Sequence, residues 1–171
     1  PVHLACAKGV VYTVDVLIKY NLDIHIKQNE AKTPLHFAAI NDDPEIIKLL
    51  IEHRANIKSR DHKKNTPLHY ASNHSSQKVI ELLIEHGANV NAKNQDGCTP
   101  SHYAAWSKTT ENLKVFKQYG ADFNATNKFN STPLMEAVAG NSFETTKYLL
   151  EQEVDINIED WMGKTALELA K

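Results

Sequence analysis

Thr33-Pro34-Leu35-His36, Thr66-Pro67-Leu68-His69, Thr99-Pro100-Ser101-His102 and Thr132-Pro133-Leu134-Met135 recur at one spacing of 33 residues. Thr165-Ala166-Leu167-Glu168 falls on the next beat, and Pro1-Val2-His3-Leu4-Ala5 on the one before, with no threonine ahead of it. A period of this length is the mark of stacked supersecondary units rather than of one convergent core. Each threonine is placed to cap a helix with its hydroxyl. Each proline suits a first helical position, where an amide donor has no use.

One unit shows the rest. Asp61-His62-Lys63-Lys64-Asn65 reads as a turn before Thr66. A short helix through Leu68, Ala71 and Ser72 follows, and Asn73-His74-Ser75-Ser76 is expected to break it. A second helix is predicted from about Gln77 to His86, with Val79, Ile80, Leu82, Leu83 and Ile84 as a broad apolar face. Gly87 then stops it in the left-handed region. The other units supply Val14/Val16/Leu17/Ile18, Ile46/Ile47/Leu49/Leu50/Ile51, Leu113/Val115/Phe116 and Tyr148/Leu149/Leu150 for the same face.

Three slots look conformationally demanding. The helix-ending slot holds Asn21, Arg54, Gly87, Gly120 and Glu153. The slot between the helices holds Gly9, Asp42, Ser75, Lys108 and Asn141. The turn slot two before the threonine holds Ala31, Lys64, Gly97, Asn130 and Gly163. Arg54 and Glu153 predict strained or locally different turns, and Ala31 and Lys64 are unfavourable wherever φ is positive. The second and third units are therefore expected to be the softer part of the array, at about 1 kcal/mol per position against glycine.

The period and its Thr-Pro-Leu-His-x-Ala signature resemble the ankyrin repeat over the whole chain. The resemblance implies an all-α repeat solenoid, with 33-residue helix-turn-helix units joined by β-hairpin-like loops. The expected division is one array over 1–171, with units near 1–27, 28–60, 61–93, 94–126 and 127–159 and a partial unit at 160–171. That is four complete repeats with partial repeats at both ends. Because the chain opens and closes inside a repeat, it is expected to be a piece of a longer protein.

Composition bounds the function. Hydrophobic residues make up 42% and charged residues 23%, and the formal net charge is −2. That balance offers no bulk field for nucleic acid or an anionic membrane. No apolar run reaches the ~20 residues that span a bilayer. Cys6 and Cys98 lie almost three repeats apart, too far to meet in a linear stack, and reduced thiols fit an intracellular, cytoplasmic setting. A nuclear location or secretion by an intracellular microbe stays open.

Nine histidines suggest metal. Yet His3, His36, His69 and His102 share one slot, so a stack spaces them by about the ~10 Å width of a helix layer. One ion with ~2 Å ligand bonds cannot bridge that gap. The resemblance instead implies that this histidine bonds backbone groups of the neighbouring loop. Neither a His-Glu-x-x-His nor a Gly-x-Ser-x-Gly motif is present, and no phosphate-cradling glycine loop is either. No catalytic, metal or cofactor residue is assigned.

The resemblance implies recognition through hairpin tips and the concave face of the first helices. Lys27, Asn29, Lys32, Arg60, His62, Lys63 and Lys93 fall there, and Lys27, Lys32, Arg60, Lys63, Lys64 and Lys93 make the N-terminal and middle tips basic. Trp106, Phe129, Trp161 and Met162 place large apolar groups where solvated positions are expected, and such residues dominate interfaces. The expected partner is a protein segment with acidic residues at one end and an apolar anchor at the other, bound by a monomer without chemistry of its own. A substrate-recruiting arm of a larger enzyme, or a microbial effector with its catalytic part elsewhere, is the alternative. The lysines lack interleaved aromatic stacking groups, so nucleic acid is not expected. Finally, Leu83-x5-Asn89-Val90-Asn91 and Leu149-x5-Asp155-Ile156-Asn157 look like ankyrin sites of a 2-oxoglutarate-dependent asparaginyl hydroxylase. The simpler role for Asn91, Asn124 and Asn157 is bonding of the turn backbone.

Overall fold

The computed structural model describes residues 1–28, 30–74, 76–107 and 110–171; the side chain of His74 is outside the description. Asn29, Ser75 and Lys108, singled out above, therefore lie outside the described residues. Eleven helices and no strand occur among the described residues. The chain divides into two compact units, Pro1–Asn89 and Val90–Lys171.

The first unit holds α1 (Val2–Ala7), α2 (Val11–Lys19), α3 (Pro34–Ile40), α4 (Pro44–Glu52), α5 (Pro67–His74) and α6 (Gln77–Glu85). The short first helices α1, α3 and α5 pack in sequence, and the second helices α2, α4 and α6 form a parallel file beside them. The second unit holds α7 (Pro100–Trp106), α8 (Glu111–Gln118), α9 (Pro133–Ala139), α10 (Phe143–Leu150) and α11 (Ala166–Leu169). There α9 packs on α7, α10 and α11.

The helix starts follow from the repeated motif. Thr33 and Thr99 accept the amide of the residue three on, while the side chains of His36 and His102 reach back to the threonine amides. Thr165 and Glu168 make the same reciprocal box with a carboxylate. Thr132 accepts the Met135 amide at 3.4 Å, and the return bond is lost because methionine has no acceptor for it. Asp43 caps α4 by accepting from the amides of Glu45 and Ile46 at 3.0 Å each.

Two expectations need correcting. Asn73 and His74 do not break the helix, because α5 continues through His74. The apolar face of the second helices is also narrower than their composition suggests. Ile46, Ile47 and Leu50 are buried in α4, and Val79, Ile80 and Leu83 in α6, whereas Leu49, Ile51, Leu82 and Ile84 are only half-buried. A helix packed along one flank buries a stripe at i, i+1 and i+4, and its neighbouring positions face outward. Leu150, counted with the core above, is exposed.

All three demanding slots are left-handed at every described position. φ is positive at Asn21, Arg54, Gly87, Gly120 and Glu153, at Gly9, Asp42 and Asn141, and at Ala31, Lys64, Gly97, Asn130 and Gly163. Arg54 (65°) and Glu153 (57°) thus adopt the same left-handed turn as the glycines rather than a different one. The repeat imposes the conformation and the side chain bears the strain.

Candidate partner-binding surfaces

The histidine ladder is structural. The Thr33 amide donates to His36 Nδ1 at 3.1 Å, and His36 Nε2 lies 3.1 Å from the Asn65 carbonyl, one repeat on. A carbonyl only accepts, so the proton sits on Nε2 and the ring is neutral. His102 repeats this arrangement with Thr99 at 3.1 Å and the Ser131 carbonyl at 3.0 Å. His3 Nε2 reaches the carbonyls of Ile26 at 3.0 Å and Lys32 at 3.2 Å. Burial pushes the His36 and His102 imidazoles down to about 4, because the charged form would lose its hydration. No group of three His, Cys, Asp or Glu side chains that could hold a metal occurs among the described residues.

The loops between repeats are built to present their tips. In each, the first residue donates its amide to a carbonyl four residues on: Asp61 to Asn65, Asn94 to Cys98, Asn127 to Ser131 and Asp160 to Lys164. Asn94, Asn127 and Asp160 then accept with Oδ1 from the amides two and four residues ahead, at 2.8 to 3.0 Å. These side-chain-closed turns hold the Phe129 and Met162 amides in place. Successive tips are also linked: the His62 amide donates to the Glu30 carbonyl, Lys128 to Asp96 and Trp161 to Phe129, at 2.8 to 3.0 Å.

The basic residues of the first unit do not form one free set. Lys27, His62 and Lys63 are exposed, as is Arg60. Lys32 instead folds back, with its ammonium 2.5 Å from Glu30 and 5.1 Å from the centre of the Tyr70 ring. Its charge is held between Glu30 of its own repeat and the Tyr70 ring of the next. In the second unit, the Lys93 ammonium donates to the Thr126 carbonyl at 3.0 Å, leaving it exposed but tethered.

The apolar candidates all lie in the second unit and all reach solvent. Trp106 is 54% exposed, Phe129 55%, Trp161 69% and Met162 51%. Trp106 ends α7, and its indole lies beside Gly140. Phe129 and Trp161 stand on adjacent tips joined by the bond named above.

One row of residues escaped the sequence reading. Phe37, Tyr70 and Tyr103 occupy the slot after each histidine and are half-buried on the first helices. The Tyr70 hydroxyl donates to Asp61 at 2.6 Å, and Asn94 donates to the Tyr103 hydroxyl at 3.0 Å. Phe37 packs edge-on to His3, and Tyr70 to His36. Burial pushes the Tyr70 hydroxyl up, and donation to Asp61 adds to it. The signal was available, since these aromatics recur at the repeat spacing.

The asparagines divide. Asn91 accepts the Asp122 amide at 2.9 Å and donates to the Gly120 carbonyl at 3.2 Å, and Asn124 accepts the Asp155 amide at 2.9 Å. Asn157 is exposed, and its amide donates to Asp155 at 2.9 Å. Cys6 is buried and Cys98 half-buried, both as free thiols, and burial pushes the Cys6 thiol up to about 12. No helix of the described residues is long and apolar enough to cross a membrane.

Comparison with known proteins agrees with this geometry. A stretch of 39 residues is 46% identical to the human transient receptor potential cation channel subfamily A member 1, covering 23% of this chain and 4% of that protein. The model of the family described as ankyrin repeats (3 copies) matches residues 2–94, 58–127 and 101–171. With the family model spanning nearly every residue and the capped, left-handed frame recurring beneath it, the chain belongs to the ankyrin-repeat family.

Proposed function

We propose that the chain is a protein-binding module that acts by rigid presentation and performs no chemistry of its own. Ankyrin repeats are generally protein–protein interaction modules; the finer reading concerns where and what this one binds. The observation that carries it is the run of exposed large apolar side chains on consecutive tips, Phe129, Trp161 and Met162, on turns already closed by Asn127 and Asp160. Preformed turns reduce the ordering cost of association, and exposed tryptophan is a typical interface anchor. The partner is a protein segment whose apolar residue seats against these tips. Taken by itself, the first unit offers the exposed side chains Lys27, Arg60, His62 and Lys63 to acidic residues of a partner. The module works as an intracellular monomer, either as a scaffold or as the recruiting arm of a larger enzyme. Asn157, with its exposed side chain, is the better of the two asparagines for hydroxylation.

Affinity capture from a host-cell lysate, compared between the native chain and its Phe129→Ala/Trp161→Ala/Met162→Ala variant, tests the reading. A protein retained by the native chain and lost by the folded variant supports it. Equal recovery by both removes the apolar anchor from the proposal.

A further inference from the structure

The carboxylates of the first unit fall into two sets. Those near the loops are engaged: Glu30 with Lys32, Asp42 with the Ser76 amide and hydroxyl, Asp43 as the α4 cap, and Asp61 with Tyr70 and Asn65. On the outer helices, Asp15 pairs with Lys19 at 2.6 Å. Glu45 and Glu52 of α4 are exposed and make no ion pair among the described residues. The second helices of the unit carry Asp15, Glu45, Glu52, Glu81 and Glu85 against Lys19, Lys48 and Lys78, a small acidic excess, while the loop tips are basic.

Asp15, Glu45 and Glu52 border a shallow, open groove between α2 and α4. Val11 and Leu49 line it as half-buried apolar groups, Tyr12 stands beside them 78% exposed, and Lys48 lies between the two glutamates in sequence. Glu45 and Glu52 are two helical turns apart, about 10 Å along α4. A groove between two helices is shaped to take a third helix by ridge-into-groove packing.

We infer that this groove, separate from the tips of the proposed binding surface, docks a basic amphipathic helix of a partner protein. Two Lys or Arg residues at i and i+7 pair with Glu45 and Glu52. Apolar residues between them cover Val11 and Leu49, and the Tyr12 ring takes a cation on its face. Lys48 rejects a third cation at the centre, so the pattern read is base–apolar–base rather than uniform positive charge.

The test titrates the 171-residue chain into a fluorescein-labelled synthetic helix with lysines at i and i+7 and leucines at i+3 and i+4. Fluorescence anisotropy is read at low and moderate salt, and circular dichroism confirms that each variant is folded. Binding that falls about tenfold in Glu45→Gln/Glu52→Gln, weakens in Tyr12→Ala, and weakens with salt supports the groove. Phe129→Ala/Trp161→Ala/Met162→Ala should leave this binding unchanged, which separates it from the surface proposed above. Equal binding by Glu45→Gln/Glu52→Gln overturns the inference. So does equal binding of a peptide with glutamates in place of the lysines, or no binding at millimolar peptide.

Discussion

The two units carry one backbone frame with different side chains. In the first, the left-handed positions include Ala31, Arg54 and Lys64 along with Asn21, Asp42, Gly9 and Gly87. Among the described residues of the second, they are Gly97, Gly120 and Gly163 with Asn130, Asn141 and Glu153. The tips differ as well. Glu30 and Lys63 hold the tip slot in the first unit, and Asp96, Phe129 and Met162 hold it in the second. The backbone requirement is thus met by glycine in one place and against side-chain preference in another, while the tip chemistry varies freely. A repeat whose turns are held by neighbouring packing and hydrogen bonds tolerates a poor left-handed residue at a modest stability cost.

Acid should break the comparison most severely. His36 and His102 are neutral in the fold, held near 4 against an ordinary value near 6.5. Between those values the unfolded chain binds more protons, so stability is complete above about pH 6.5 and falls as pH drops through the window toward 4. The expected loss is on the order of 3 kcal/mol for each histidine. Urea denaturation at pH 7 and pH 4.5, with peptide-resolved hydrogen exchange, checks it. The Thr33 and Thr99 turns should open on acidification, and the Thr132 turn, which has Met135 in the slot, should lag behind them.

Ser101 sharpens the comparison within the motif itself. It occupies the slot of Leu35, Leu68 and Leu134, is fully buried, and its hydroxyl finds no hydrogen-bond partner among the described residues. Ser101→Ala should therefore stabilise the second unit by about 1 kcal/mol, since a buried hydroxyl without a partner is unfavourable. A lower urea midpoint in this variant would contradict that account.

The smallest effects concern the turns. Lys64→Gly and Arg54→Gly should each stabilise the first unit by at most about 1 kcal/mol, because relief of the left-handed strain is partly offset by the greater freedom of glycine when unfolded. Gly97→Ala, at the equivalent turn of the second unit, should destabilise. Its new Cβ would meet the Asn127 and Lys128 backbone at 3.1 Å, so steric conflict adds to the φ of 77°. Thermal melts of the three variants give the comparison directly. If Lys64→Gly destabilised the chain, the positive φ there would not be a burden.

Much of this molecule could be read from spacing. The motif located the first-helix starts at Pro34, Pro67, Pro100 and Pro133, and the three slots named every described position that turned out left-handed. Lys32 could not be read that way. In sequence it is one more basic tip, but in space Glu30 and Tyr70 hold it. Nor could the narrow buried stripe be told from the broad apolar one, because Leu49 and Leu50 are the same residue type and only the direction of packing separates them.

The sequence by itself determined the repeat, its capping boxes and its left-handed turns. These are local choices made again in each unit by residues a few positions apart, and periodicity amplifies them. The tertiary structure decided which charges remain exposed, which aromatics are half-covered and where a groove opens between α2 and α4. Those properties depend on what a neighbouring repeat, some thirty residues away in the chain, places against each side chain.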